Sequence, residues 1–325
     1  MFADGQLMKE IFLKAKQEKF AIIACNIAND VTARAVIQAA QQQNSDLLVQ
    51  ISSGAAKFES GNAENMNIGE KILFNIAKET ADQYYKCAVG VNIDHCQPKY
   101  LDYLKFIIEN QLASCVMIDA SELPLDENIK VTKEIVDLAH AKGILVEGEI
   151  GRIKGAEDEV ISEETLYTKP EDALRFVKET DVDLFAAAVG TNHGVTKGKN
   201  VHLRLDIMED INKLLDENGL GHKGLVLHGA SGLTAEQQKD AVARGAVKIN
   251  KDTRYQMEFA AAVQKFWEEN KDAIVKPENV SEEEYIQDKK RFDPRVWLKK
   301  GEEGMQAAAE ELIQIAGSNG KTVTQ

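Results

Sequence analysis

Six histidines occur in the 325 residues, and three of them, His95, His193 and His228, each close a short apolar run. Imidazoles arriving from three separate segments offer a divalent cation three neutral nitrogen ligands and leave a coordination position for substrate, and zinc is the natural ion for such a set. His140, His202 and His222 fall in helical or connecting sequence instead. Carboxylates occupy the same kind of position as the first three: Asp94 beside His95, then Asp119, Glu147, Glu149 and Asp252. Two of the histidines lead into glycine-rich turns, His193-Gly194-Val195-Thr196-Lys197-Gly198 and His228-Gly229-Ala230-Ser231-Gly232. Small residues expose backbone N–H groups there, and with a lysine nearby such turns suit a phosphate. The chemistry this implies is metal-assisted work on a phosphorylated metabolite.

Such residues need a frame that brings them to one face. Eight short runs rich in Val, Ile and Ala recur along the chain, namely Phe20 to Ile27, Asp46 to Ser53, Ala88 to His95, Ser114 to Ala120, Leu145 to Ile150, Asp183 to Gly190, Leu225 to Ala230 and Val247 to Asp252. Amphipathic stretches of helical period lie between them, which is the pattern of a parallel sheet covered by helices. Eight strand-helix units predict an α/β fold of the (β/α)8 TIM barrel type, whereas a doubly wound sheet usually stops at five or six strands. In a barrel the C-terminal strand ends converge on one open face, and the polar residues named above sit at those ends. Beyond Asp252 the sequence predicts a long helix over 255–270, a polar stretch, and a helical tail over 301–316. These extend a single domain of 1–325, with a barrel core of about 20–270, rather than building a second core.

Charge narrows the partners. Lys and Arg number 39 against 53 Asp and Glu, a formal charge of -14, and a surface that acidic repels nucleic acid and anionic membranes. No run approaches the roughly 20 apolar residues of a membrane span, and the N-terminal segment lacks a secretory apolar region. Cys25, Cys87, Cys96 and Cys115 show no CxxC spacing, which suits reduced thiols. The expectation is a cytoplasmic protein acting on a small molecule.

Eight stretches carry a resemblance over nearly the whole chain: NIDHC (92–96), VMIDASELPLDENI (116–129), VEGEIGRIKGAEDE (146–159), YTKPEDA (167–173), VGTNHGVTKG (189–198), LVLHGASG (225–232), KINKDT (248–253) and FDPRVWL (292–298). In this order they resemble the class II, metal-dependent fructose-bisphosphate and ketose-bisphosphate aldolases. The resemblance implies that His95, His193 and His228 hold the catalytic zinc. It implies that Asp94 takes the proton of the C4 hydroxyl during cleavage and that Glu157 exchanges the proton on the ketone half. Asp119 and Glu149 match carboxylates that support the metal region or bind an additional divalent or monovalent cation. Gly194, Lys197, Gly229, Ser231, Asn250 and Thr253 match the phosphate site, where Asp252 opens the last helix, and Asn26 and Ser52 lie near the sugar. Arg295 matches an arginine that reaches the far anion of the substrate from a neighbouring subunit, which implies a homodimer or larger homo-oligomer. The activity implied is reversible cleavage of a ketose bisphosphate, by default fructose 1,6-bisphosphate, into dihydroxyacetone phosphate and glyceraldehyde 3-phosphate through a zinc-stabilised enediolate. Tagatose bisphosphate or another anionic ketose phosphate is the nearest alternative.

Departures from the family pattern concentrate near the site. Asn92 stands where histidine is usual, Ala230 replaces a glycine, and Thr196 a tyrosine. Lys251 and Arg254 are added cations in Asn250-Lys251-Asp252-Thr253-Arg254. Pointing into the barrel mouth, these two and Arg295 would favour a substrate anionic at both ends; pointing outward, they would belong to a solvated face. Two different classes of function remain: a Schiff-base aldolase using Lys248 or Lys251, and a non-catalytic barrel that binds sugar phosphates, a reading that requires loss of the histidines or acids that are in fact present.

Overall fold

A computed structural model describes residues 1–61, 65–151, 153, 155–157, 160–162, 166–191 and 203–324, with 155–157 and 160–162 described through their backbone. Eight parallel strands among them close into a barrel: β1 (Ile22–Asn26), β2 (Leu47–Ser52), β3 (Val89–Cys96), β4 (Cys115–Ile118), β5 (Leu145–Ile150), β8 (Leu184–Ala187), β9 (Gly224–Leu227) and β10 (Ala246–Lys251). An antiparallel hairpin of β6 (Gly155–Glu157) and β7 (Val160–Ser162) follows β5 at the open end. The eight apolar runs are thus the eight barrel strands, and the barrel expected from the sequence is the architecture found.

Strand alternation divides each strand between two environments. Ile23, Cys25, Val49, Ile51, Val91, Ile93, Val116, Ile118, Phe185, Leu225, Leu227 and Ile249 face out and pack against the helix layer. Ile22, Ala24, Leu48, Cys115, Leu145, Leu184, Ala186 and Val226 face in. The inner set is apolar only in the lower barrel. There the helix Gly5–Glu18 closes the floor with Met8, Ile11, Phe12 and Ala15. The fit is close enough that a Cβ on Gly90 would come within 2.6 Å of Met8 Sδ. Higher up, the inward positions become Gln50, Asn92, Asp94, Glu147, Glu149, Lys248 and Asn250, all buried. A dry floor and a polar mouth therefore follow from which inward positions carry apolar residues.

The helix layer is fixed by local signals. Asn29 and Thr32 form a reciprocal capping box on the helix Asp30–Gln43, and Thr234 with Gln237 repeats it on Ala235–Ala243, each satisfying backbone donors that helix starts leave open. The last helix runs over Pro294–Ala316, seven residues earlier than the sequence periodicity suggested. Asp293 accepts from Arg295 N, and Pro294 supplies the preset φ of a first helical residue. Its face of Met305, Ala309, Leu312 and Ile313 is buried in the same apolar layer that surrounds the barrel. The chain end then returns beneath the barrel, where Thr322 Oγ1 and Val323 N donate to Asp46 at 2.7 and 3.0 Å.

Candidate active site

Asp94 and His95 are neighbours in β3, so simple alternation would send one of them outward. His95 adopts a left-handed backbone, φ 43°, and the pairing of β3 with β4 shifts register between Ile93 and Cys96. The break turns both side chains toward the barrel mouth. A non-glycine residue held at positive φ is unfavourable, and such strain concentrates at functional positions.

Two of the three candidate ligand histidines, His95 and His228, are described and meet there. His95 Nε2 and His228 Nδ1 lie 2.8 Å apart, with the rings at 87°. Behind each ring stands a carboxylate: His95 Nδ1 is 2.9 Å from Asp119 Oδ2, and His228 Nε2 is 2.7 Å from Glu147 Oε1. Ionised carboxylates only accept, so each imidazole donates its outer N–H backward and turns its inner nitrogen toward the other ring. Two inner nitrogens this close suit a shared cation. Tetrahedral zinc with nitrogen ligands at about 2.05 Å spaces them by about 3.3 Å, so the pair needs only a small opening to accept it. Glu149 completes a buried group with ligand atoms all within 4.8 Å of one another. These donors fit a divalent cation of the zinc type.

Electrostatics keep the donors in the required state. Burial pushes the Asp119 carboxyl up, but its bonds to His95 and Ser121 more than reverse this and hold it well below the usual carboxylate range. Glu147 is likewise raised by burial yet ends at about 2, because Lys248 and His228 both favour its anion. Burial holds His228 below the ordinary histidine range, against the pull of Glu147. Lys248 Nζ lies 2.5 Å from Glu147 Oε2, and both side chains are fully buried. An ammonium committed to that pair is a poor Schiff-base nucleophile, which removes the alternative based on Lys248.

Asp94 sits beside the cluster and is held through both oxygens. Asn26 Nδ2 donates to Oδ2 at 2.8 Å and Asn250 Nδ2 to Oδ1 at 3.2 Å. Next to it opens a cavity of about 510 Å³ lined by Asn26, Ser52, Asp252, Gln256, Phe259 and Met305, among others. Ser52 ends β2 opposite Asp94, and its hydroxyl accepts from Ala55 N. Gly229 takes the left-handed conformation, φ 63°, that lets the chain turn from His228 into the short Ala230–Gly232 helix holding Ser231. Asp252 caps and Thr253 begins the helix Thr253–Glu269. The structure thus brings together Asp94, His95, His228, Asp119, Glu149, Asn26 and Asn250. His193, Gly194, Lys197 and the side chain of Glu157, which ends β6, lie outside the described residues.

The expectation that Lys251 and Arg254 join an anion site is corrected. Lys251 pairs in register with Cys25, and alternation puts both on the outer face, away from Lys248 and Asn250. It is not solvated either: it is 4% exposed, and burial, with Arg254 nearby, pulls its amine down to about 8. Arg254 is spent on Glu258 and Glu311. Arg295 has an 88% exposed side chain paired with Asp293, not with a residue of this cluster. Sequence reading passed over Gln50 as a site residue, although a polar side chain inside the apolar run of Leu47–Ser52 was the available signal.

A (β/α)8 barrel whose mouth holds paired imidazoles backed by carboxylates, with a further acid alongside, is an arrangement suited to metal-assisted chemistry. The chain belongs to the class II aldolases: residues 6–321 match the family described as fructose-bisphosphate aldolase class-II, and it is accordingly a carbon–carbon lyase. It is 34% identical over 313 residues to the fructose-bisphosphate aldolase of Streptococcus pneumoniae, covering 96% of this chain and 98% of that one. It is 31% identical over 314 residues to that of Geobacillus stearothermophilus, covering 97% of each. Its fold superposes on the crystal structure of fructose-bisphosphate aldolase from Campylobacter jejuni with a TM-score of 0.86 at 30% identity, covering 99% and 97% of the two chains.

Two outcomes are expected. His95→Ala and His228→Ala each lose stoichiometric zinc while the far-UV circular dichroism of the barrel persists, and metal analysis after dialysis reads the result. Lys251→Met raises Tm at pH 7, because a lysine whose folded pKa is lowered opposes folding while protonated. That advantage narrows as pH rises from about 8 toward the unfolded value near 10.4, and kcat/KM for a doubly anionic ketose stays at the wild-type value.

Proposed function

We propose that the protein reversibly cleaves fructose 1,6-bisphosphate into dihydroxyacetone phosphate and glyceraldehyde 3-phosphate, using one zinc ion held by His95, His193 and His228. The observation that carries the reading is the facing pair of imidazole nitrogens with Asp94 beside it. The names of the relatives support the choice of ketose. A bound divalent cation would supply the Lewis acidity that draws electron density through the ketone and hydroxyl oxygens. Asp94 accepts the C4 hydroxyl proton as the C3–C4 bond breaks, the electron pair stays on C3, and C4 leaves as the aldehyde. Glu157 then returns a proton to C3. Glu149 and Asp119 support the metal region or bind an additional cation.

Gly194, Lys197, Gly229, Ser231, Asn250, Asp252 and Thr253 form the binding site for the phosphate on the ketone half, with Asn26 and Ser52 toward the sugar. Arg295 reads the far phosphate in a neighbouring subunit of a homodimer or larger homo-oligomer, a role suited to its exposed position and to the paired donors of a guanidinium. The reading places the protein in the cytoplasm. It is supported there by four free, buried cysteines, and no helix among the described residues is long and apolar enough to cross a membrane.

Release of dihydroxyacetone phosphate from fructose 1,6-bisphosphate, tagatose 1,6-bisphosphate and fructose 1-phosphate, with zinc and after chelation, tests the reading. Zinc-dependent turnover is expected to be highest with fructose 1,6-bisphosphate, and no release from any of the three at saturating zinc would contradict it. Asp94→Asn is expected to keep zinc and lose on the order of 10²- to 10⁴-fold in kcat. Arg295→Ala is expected to lower kcat/KM for fructose 1,6-bisphosphate by about ten- to a hundredfold, far more than for fructose 1-phosphate.

A further inference from the structure

Three carboxamides lie at one level inside the barrel. Register pairs Asn26 of β1 with Gln50 of β2, and Gln50 with Asn92 of β3. Their outward neighbours Cys25, Val49, Ile51, Val91 and Ile93 pack in the helix layer, so alternation turns all three amides inward. Gln50 and Asn92 have no solvent exposure. Buried amides are costly unless hydrogen-bonded, and these form one chain. Asn92 Nδ2 donates to Gln50 Oε1 at 3.0 Å, Gln50 Nε2 to Asn26 Oδ1 at 2.9 Å, and Asn26 Nδ2 to Asp94 Oδ2 at 2.8 Å.

The chain has a direction, and Asp94 sets it. An ionised carboxylate only accepts, so Asn26 must turn its NH₂ to Asp94 and its oxygen to Gln50. Gln50 must then turn its NH₂ to Asn26 and its oxygen away, where only a donor can meet it. Asn92 is that donor. Its own Oδ1 ends the chain, buried and without a hydrogen-bond partner, so asparagine here is kept for its NH₂. Without that NH₂, Gln50 is free to flip and set oxygen against the oxygen of Asn26, loosening the hold on Asp94. The torsion that turns a carboxylate plane is a soft one. A base that must aim a lone pair at one hydroxyl therefore depends on what pins its oxygens.

We propose that Gln50 and Asn92 are positioning residues that act through Asn26 to fix the carboxylate plane of Asp94 for proton removal from the C4 hydroxyl. Asn92, the position that departs from the family's usual histidine, supplies the terminal donor of this relay. The proposal rests on the reading of Asp94 as the base. It predicts a selective defect, because only bond cleavage uses Asp94, whereas exchange of a hydroxymethyl hydrogen of dihydroxyacetone phosphate with solvent uses the metal and Glu157.

The experiment compares Asn92→Leu, Gln50→Met, Asn92→His, Asp94→Asn and the double variant Asp94→Asn/Asn92→Leu as zinc-loaded enzymes. Asn92→Leu is expected to lower kcat for fructose 1,6-bisphosphate cleavage by about ten- to a hundredfold. KM, bound zinc and the deuterium exchange rate of dihydroxyacetone phosphate, followed by NMR, stay within about twofold of wild type, the spread of a site left intact. Asn92→His, which keeps a ring N–H, restores most of kcat. In the Asp94→Asn background Asn92→Leu removes nothing further, because residues acting through one group are not additive. Gln50→Met carries the same comparison should Asn92→Leu fail to fold. Equal losses in cleavage and exchange, or losses that multiply in the double variant, overturn the relay, as does unchanged cleavage in both Asn92→Leu and Gln50→Met. Undiminished cleavage by Asp94→Asn instead rejects Asp94 as the base; a loss in Asn92→Leu beside it shows that the amides do not act through Asp94.

Discussion

Two imidazole nitrogens facing each other at 2.8 Å inside a buried barrel mouth are the constraint around which the upper half of this molecule is organised. Neither ring could hold that orientation alone. Asp119 on the far side of His95 and Glu147 on the far side of His228 fix which nitrogen carries the proton. Glu147 in turn would be an isolated buried anion without Lys248. Breaking such a pair by removing one partner typically costs about 3–5 kcal/mol, so β5 and β10 are tied together by the same interaction that orients His228 at the end of β9.

Beneath that layer the barrel solves a different problem. Parallel strands are covered on both faces, and the lower interior is filled by aliphatic side chains and by the helix Gly5–Glu18 as a plug. The polar layer above it is stabilised by hydrogen bonds among its own side chains. Asp94, Asn26, Gln50, Asn92 and Asn250 are linked across four strands, and among them Asn92 Oδ1 and Asn250 Oδ1 are the atoms left without a hydrogen bond. Rigidity in the floor and directionality in the amides together place a carboxylate beside the facing imidazoles.

Much of this was legible in the sequence, for physical reasons that can be named. The eight strands showed because strands buried on both faces must be nearly continuous apolar runs. The site residues showed because polar side chains at the ends of such runs have few structural reasons to be there. What could not be read depends on three-dimensional compensation. The left-handed turn at His95 leaves no local mark, since the residue is not glycine. The outward face of Lys251 is decided by pairing with Cys25, which its place at a strand end concealed. The early start of the last helix was readable from Asp293 and Pro294, but those residues were weighed only as part of an anion-binding motif. The direction of the amide chain required knowing that Asp94 lies within reach of Asn26.

The most direct test of the account is X-ray absorption at the zinc edge of the zinc-reconstituted protein. Imidazole scattering from at least two histidine nitrogens at about 2.0–2.1 Å is the predicted result. A first shell of oxygen ligands without imidazole scattering would contradict it, because the facing nitrogens of His95 and His228 would then not be the metal's seat.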